Sequence, residues 1–155
     1  TGKNLKPTVT VYNGKKKVSS KYYTVTYKNN KNTGYATVIV KGKGKFAKYA
    51  GKATFTIKPK TPKNPVVKKG AKRTLNVSWR RDAQATKYVV QYSQSSKFKG
   101  RTTKTVTINN NKTGNTVLKG LTSGKNYYVR VRSCKVVNGK EIWGAYSKAT
   151  KMKVK

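Results

Sequence analysis

Few side chains in this chain of 155 residues have the chemistry that catalysis needs. The sequence contains no His, which removes the most common general base and metal ligand. Its only carboxylates are Asp82 and Glu141, too few for a clustered calcium site and able to form a single glycosidase-type pair at most. We expect both to be exposed acids among many cations, and we predict no catalytic residue, no metal and no cofactor.

Cys134 is the only cysteine, so the chain has no internal disulfide. Strand alternation places its side chain on the outward face with Arg130 and Arg132, whose charge would lower the thiol pKa. A cysteine nucleophile also needs a base beside it, and we favour a residue without a catalytic role. Gly42 and Gly44 lack the strand–loop–helix context of a phosphate-binding loop, so they predict a turn.

Positive charge is the feature that remains for binding. Lys and Arg number 38 against two acids, a formal net charge of +36, whereas solubility of a small domain needs only about 2 to 8. Of these cations 32 are Lys, which acts as a point charge, while Arg is the usual choice for bidentate recognition. The pattern predicts diffuse, salt-sensitive attraction to a polyanion. The alternative is a surface composition set by genome or habitat.

The candidate cations occur in clusters, on expected turns, after a proline-rich segment and along the last expected strands. Teichoic acids, glycosaminoglycans, mucin and extracellular DNA all match this charge, and nothing in the sequence selects among them. The predicted polyanion-binding residues are Lys15, Lys16, Lys17, Lys41, Lys43, Lys45, Lys68, Lys69, Lys72, Arg73, Arg130, Arg132, Lys148, Lys151 and Lys153.

The elements that position these cations are short strands. Apolar and polar residues alternate with a period of two, and no window keeps a helical period. Residues 60–65 are rich in proline and predict a stiff linker between two such stretches. We therefore predict an all-β chain of two tandem β-sandwiches, at 1–59 and 66–155, joined by that linker. Expected strands lie at 9–11, 23–27, 35–41, 53–57, 75–79, 88–92, 105–108, 115–118 and 127–132, and within 147–154.

The second stretch resembles a known family. The segment LTSGKNYYVRVR at 121–132 is similar to the tyrosine corner of fibronectin type III domains, and LNVSW at 75–79 resembles their second strand with its core Trp. YVVQYSQSSKF at 88–98 and WGAYS at 143–147 resemble the version found in surface proteins of Gram-positive bacteria. The resemblance covers 62–155 and implies a non-catalytic sandwich with Asp82 and Glu141 in loops.

The first stretch is similar to bacterial Ig-like repeats of the same kinds of protein. The similar segments are YTVTYKNN at 23–30, NTGYATV at 32–38, and GKG at 42–44 before FTI at 55–57. That family usually has Asp where Tyr22 stands, and fibronectin repeats often have a small apolar residue where Asp82 stands. The opening TGK is similar to the middle of the repeat's first strand, which implies a truncated N-terminus.

These resemblances imply a location outside the cell, at a bacterial surface. We expect a non-catalytic attachment module whose partners are anionic polymers and the neighbouring domains of a longer parent chain. One alternative is a passive spacer or stalk of a larger surface protein or enzyme. A second is a cationic protein that binds nucleic acid without specificity. No apolar run approaches the length of a membrane span, so we predict no transmembrane segment in this stretch.

Overall fold

The computed structural model describes residues 2–63 and 65–155, so Thr1 and Asn64 of the predicted elements lie outside the described residues. Strands account for 46 % of the chain and helix for 4 %, which confirms the prediction of an all-β fold. The chain divides into two compact units, Thr1–Ile57 and Lys58–Lys155. The residues expected as a linker therefore count with the second unit.

The first unit consists of a three-stranded antiparallel sheet, a two-stranded hairpin and two short 3-10 turns. In the sheet the order of strands is β3-β4-β5. Tyr23, Val25 and Tyr27 alternate with exposed Thr residues on β3, so one face of the sheet carries apolar side chains, as predicted. The elements are β1 (Tyr12–Asn13), β2 (Lys16–Lys17), a turn at Ser20–Tyr22, β3 (Tyr23–Lys28), β4 (Gly34–Gly42), a turn at Gly44–Phe46 and β5 (Ala50–Ile57).

Two strand predictions in this unit need correction. Val9 and Val11 are half-buried, but residues 9–11 are not assigned to a strand. The alternation of Val with Thr indicates which side chains of this segment are covered. A strand must in addition be hydrogen-bonded to a neighbouring strand. Strand β5 begins at Ala50, three residues before the expected start, because the segment pairs with β4 as far as Lys41.

The second unit contains two antiparallel sheets. One has the order β10-β7-β6, and the other has the order β12-β11-β8-β9 with β13 also paired to β11. Its strands are β6 (Val66–Lys69), β7 (Leu75–Ser78), β8 (Lys87–Ser93), β9 (Lys104–Ile108), β10 (Asn115–Leu118), β11 (Asn126–Val137), β12 (Lys140–Trp143) and β13 (Thr150–Lys153).

The core of the second unit lies between its two sheets. Leu75, Val77 and Trp79 are buried on one side, and Val129 and Val131 of β11 are buried on the other, as the alternation predicts. The ring of Trp79 lies 5.4 Å from that of Tyr88, centroid to centroid. A period-2 pattern was sufficient here because β7 and β11 each place alternate side chains on this core.

Residues 144–149 connect β12 to β13, which both pair with β11, and the segment itself remains hydrogen-bonded to β11. Ser147 N donates to Val131 O at 2.8 Å, and Val131 N donates to the Ser147 hydroxyl at 3.0 Å. Gly144 N donates to Ser133 O at 2.9 Å, and a Cβ on Gly144 would lie 2.9 Å from Pro59 O. The segment thus stays close to β11 and positions the Tyr146 side chain beside it, while β12 positions Trp143.

Pro59 and the proline residues of the expected linker are packed in the second unit. Pro59, Pro62 and Pro65 are buried. Lys60 O accepts a hydrogen bond from the Ser133 hydroxyl at 2.9 Å, and Pro65 O accepts one from the Thr150 hydroxyl at 3.0 Å. Residues 58–65, where described, are held by these contacts against the strands of the second unit.

Candidate functional site

The candidate cations of the first unit lie at two turns and are all exposed. One turn closes the β1–β2 hairpin, where Gly14 adopts a φ of 56°, as the Asn-Gly pair predicts. The other follows β4 and contains the 3-10 turn Gly44–Phe46. The six residues are Lys15, Lys16 and Lys17 at the hairpin, Lys41 near the end of β4, and Lys43 and Lys45 in the turn that follows it.

Glycine is required twice at the second turn. A Cβ on Gly42 would lie 1.9 Å from the carbonyl oxygen of Phe46, so only glycine allows the chain to approach itself this closely. Gly44 has a φ of 55°, a left-handed conformation that glycine adopts without strain. The two glycines therefore build a turn, which agrees with the interpretation made from their sequence context.

Three aromatic side chains beside this turn form what we name the aromatic cluster: Tyr22, Phe46 and Tyr49. The Tyr22 and Phe46 ring centroids are 5.8 Å apart in an edge-to-face arrangement, and those of Phe46 and Tyr49 are 6.3 Å apart. Lysine ammonium groups surround the rings. Lys21 lies 5.0 Å and Lys45 5.2 Å from the Tyr22 centroid, and Lys48 lies 5.4 Å from that of Tyr49.

In the second unit, most of the candidate cations lie on β6, on the turn that follows it, and at the end of the chain. Strand β6 lies beside β13, and Arg73 N donates to Lys155 O at 3.1 Å. The fold thus brings together residues that are more than 70 positions apart in the sequence. The exposed members are Lys68, Lys69, Lys72 and Arg73 with Lys151 and Lys153, and Lys148 is exposed in the segment before β13.

Arg73 differs from its lysine neighbours because its side chain has an internal partner. Its Nε donates to Leu121 O at 3.0 Å, and its backbone has a φ of 62°. The Arg81 Nη1 similarly donates to Lys112 O at 2.8 Å. Both guanidinium groups therefore hold loops of the second unit in place.

Arg130 and Arg132 belong to a stack that we name the cation–aromatic ladder. The guanidinium carbon of Arg130 lies 3.9 Å from the Phe98 ring centroid and 4.1 Å from that of Tyr146. That of Arg132 lies 4.6 Å from Tyr146 and 4.0 Å from Trp143. Lys87 Nζ lies 5.4 Å from the Trp143 centroid and completes the series.

The ladder leaves these arginines less available than their outward position suggests. Arg130 donates through Nε and Nη2 to the Gln91 side-chain oxygen, at 2.8 and 2.5 Å. The Nε of Arg132 is buried and has no hydrogen-bond partner within the described residues. The sequence predicted the correct face, but both side chains are half-buried. The rings of Phe98 and Tyr146, from two loops, and of Trp143, from β12, lie against them.

Both acidic residues are engaged inside the second unit. Glu141 forms an ion pair with Lys87, and that hydrogen bond holds the pKa of the Glu141 carboxyl below its ordinary value. Glu141 lies on β12 and not in the expected loop, since β12 pairs with β11 from Lys140 onward. The carboxylate of Asp82 accepts hydrogen bonds from Lys60 N at 3.1 Å and Gln84 N at 3.0 Å.

The expectation that Cys134 is exposed is wrong. Cys134 lies opposite Trp143 and Lys87 on the neighbouring strands, and its relative exposure is 0 %. Alternation gave its face of β11, but the ladder covers that face at this position. Burial, not neighbouring charge, dominates and raises the pKa of the thiol.

Within the described ranges, no group of three or more His, Cys, Asp or Glu side chains could hold a metal ion. No helix among them is long and apolar enough to cross a membrane. Sequence reasoning missed the aromatic cluster and the ladder. Only the ladder had a signal in the sequence, because the aromatic segment WGAYS at 143–147 and the Arg-Val-Arg segment at 130–132 can both be recognised there. That these two segments contact each other depends on the fold.

A family model described as the fibronectin type III domain matches residues 60–151. Among solved structures, one titled "Myokine structure" is 19 % identical with a TM-score of 0.50. The match covers 61 % of this chain and 96 % of the chain in that structure. An Fn3-like protein from Clostridium thermocellum is 24 % identical with a TM-score of 0.49, covering 64 % and 96 %. The fn3 domain of human collagen alpha-1(XX) is 16 % identical with a TM-score of 0.49, covering 64 % and 89 %. A search of curated protein sequences gives no match.

Proposed function

We propose, since the chain belongs to the fibronectin type III family through residues 60–151, that it is an attachment module whose cationic surface holds anionic polymers. Fibronectin type III domains are typically non-catalytic modules used as spacers or as binding domains. Of these two uses, the proposal assigns binding to this chain. Its first unit acts as a bacterial Ig-like repeat in the same array.

The observation that carries the proposal is the absence of internal compensation for the charge. Lys and Arg number 38, and the two acids that oppose them are already engaged with Lys87 and with backbone N–H groups. Residues 1–57 contain 13 lysines and no acidic residue. Charges without internal partners raise the local concentration of counter-ions, and a polyanion that displaces those counter-ions is held by their release.

A division of roles between arginine and lysine supports diffuse binding. Arg73, Arg81 and Arg130 donate to oxygens of their own chain, and Arg132 lies against two aromatic rings. The candidate lysines are exposed in both units. Bidentate groups are thus largely used for structure, while mobile point charges face the solvent. Such a surface attracts by charge density and does not read a sequence.

The polymers that fit are those found outside cells: teichoic acid, glycosaminoglycan, mucin and extracellular DNA. Fibronectin type III domains are commonly extracellular, and this supports a location at a bacterial surface. Neighbouring domains of a longer parent chain would be retained there together with the module.

Retention on immobilised polymers tests this function. Teichoic acid, heparin, mucin and DNA are each coupled to a resin, and the 155-residue chain is applied at about 150 mM salt, where the Debye length is about 8 Å. We expect retention on all four, in order of charge density, and elution at higher salt. Passage through all four resins would refute the proposal and leave the chain as a spacer. Retention on DNA alone would favour a nucleic-acid-binding protein.

A further inference from the structure

We propose that the aromatic cluster of Tyr22, Phe46 and Tyr49 binds sugar rings of an anionic polysaccharide. The inference rests on the proposed attachment to polyanions and adds a ligand class and a site to it. It predicts that the chain binds polymers with sugar backbones differently from polymers that offer charge alone.

The first support is an exposed aromatic surface. Tyr49 is 58 % exposed, although it contacts Phe46, whose ring in turn contacts Tyr22. Large aromatic side chains add much contact area with few rotatable bonds, which makes them effective at binding surfaces. The C–H face of a pyranose ring packs on such a ring, and a linear polyphosphate has no equivalent face.

The second support is the charge placed around these rings. The ammonium groups of Lys21, Lys45 and Lys48 lie 5.0 to 5.4 Å from ring centroids of the cluster. A sulfate or carboxylate substituent on a sugar stacked there would lie within reach of at least one of them. Because residues 1–57 contain no acidic residue, no carboxylate of this unit competes for these ammonium groups.

The third support is shape. Tyr22, Phe46 and Tyr49 line part of a groove of about 640 Å³, whose other walls include Val11, Val40 and Phe55. This volume falls within the range of about 300–1,000 Å³ found for ligand sites. A second copy of this chain is a poor occupant, because each copy carries a net charge of +36. Charge complementarity favours an anionic polymer that also has apolar faces.

The fourth support is that the backbone holds the cluster before any ligand arrives. Lys43 N donates to Tyr22 O at 2.7 Å, and Gly42 N donates to Tyr49 O at 2.9 Å. Tyr49 N donates to Phe46 O at 2.9 Å. The two turns that carry the rings are thereby tied to each other, so little ordering is needed on binding.

Two sulfated polymers of equal charge density test the inference: dextran sulfate, with a sugar backbone, and polyvinyl sulfate, with an aliphatic one. We expect the full chain to bind dextran sulfate more tightly at equal salt. Tyr49→Ala should lower the affinity for dextran sulfate by about two- to tenfold and leave polyvinyl sulfate unchanged. The backbone bonds of Tyr49 persist in this variant. Tyr35→Ala removes another exposed tyrosine of the unit, 42 % exposed, and should change neither affinity.

A Tyr49→Ala chain that binds dextran sulfate as well as the parent would overturn the inference. So would equal losses on the two polymers, since these would indicate lost charge attraction and not lost stacking. If the parent chain bound neither polymer, the proposed attachment would itself be refuted, a result distinct from these two.

Discussion

The guanidinium carbon of Arg132 on β11 lies 4.0 Å from the ring centroid of Trp143 on β12. The ring centroid of Tyr146 lies 4.6 Å from the same guanidinium carbon. Two residues that a charge count assigns to the binding surface, Arg130 and Arg132, therefore stabilise the second unit. The net charge of the chain consists of cations with two different roles, and substitutions can separate them.

Arg132→Gln should lower the free energy of unfolding by about 1–2 kcal/mol, because it removes a cation that lies against two aromatic rings. Urea unfolding followed by Trp fluorescence measures this directly, since Trp79 and Trp143, the only two tryptophans, both lie in the second unit. Lys148→Gln is the matched control with the same change of charge at an exposed position, and we expect a change within about 0.5 kcal/mol. Equal effects of the two substitutions would show that the ladder does not stabilise the fold.

Gly42→Ala should destabilise the first unit by about 2 kcal/mol, because the new Cβ would lie 1.9 Å from Phe46 O. Hydrogen exchange of the β4 amides reports on this unit alone. Gly51→Ala on β5 is the control, since no atom lies within 4 Å of its Cβ position and we expect a change within about 0.5 kcal/mol. Unaltered β4 exchange in Gly42→Ala would mean that the turn at Gly44–Phe46 is not packed as described.

Cys134 should resist thiol reagents in the native chain. Its side chain is covered beside Trp143 and Lys87, and burial raises the pKa of the thiol, so both access and thiolate fraction are low. We expect modification with a neutral disulfide reagent at pH 7 to be at least about 100-fold slower than in urea-unfolded chain. Rates within a few fold of each other would place the thiol at the surface, as strand alternation alone suggested.

Stability should fall as the pH rises above about 10, in part through Tyr88. Burial raises the pKa of its phenol, so the folded chain keeps a proton that the unfolded chain loses near pH 10. This contribution is fully present below pH 10 and is lost as the pH approaches the raised folded pKa. In urea titrations at successive pH values, Tyr88→Phe should show a shallower decline than the parent. An unchanged slope in Tyr88→Phe would contradict the assignment.

Much of the second unit could be predicted from its sequence. Alternation identified the buried faces of Leu75, Val77, Val129 and Val131, because β7 and β11 each have one face on a single core. The predicted strand at 115–118 agrees with β10, Asn115–Leu118. These elements depend on the local alternation of apolar and polar residues, which can be read directly from the sequence.

The side-chain clusters could not be predicted because they depend on contacts distant in the chain. Phe98 reaches Arg130 from the loop between β8 and β9, and Trp143 reaches Arg132 from a neighbouring strand. The alternation rule assigns a face but not what covers it, which is why it failed for Cys134. The lysine clusters are visible as residue types, yet the proximity of β6 and β13 required the fold.

The central claim is that exposed lysines hold polyanions by releasing counter-ions, and the salt dependence of affinity measures this most directly. We would compare the parent chain with a variant in which Lys15, Lys16, Lys17, Lys41, Lys68, Lys69, Lys151 and Lys153 are Gln, using duplex DNA as a polymer of known charge spacing. For the parent we predict a linear fall of log affinity with log salt, with a slope of about −0.9 for each phosphate neutralised, and a clearly shallower slope for the variant. Identical slopes, or a parent affinity that does not change with salt, would contradict the claim.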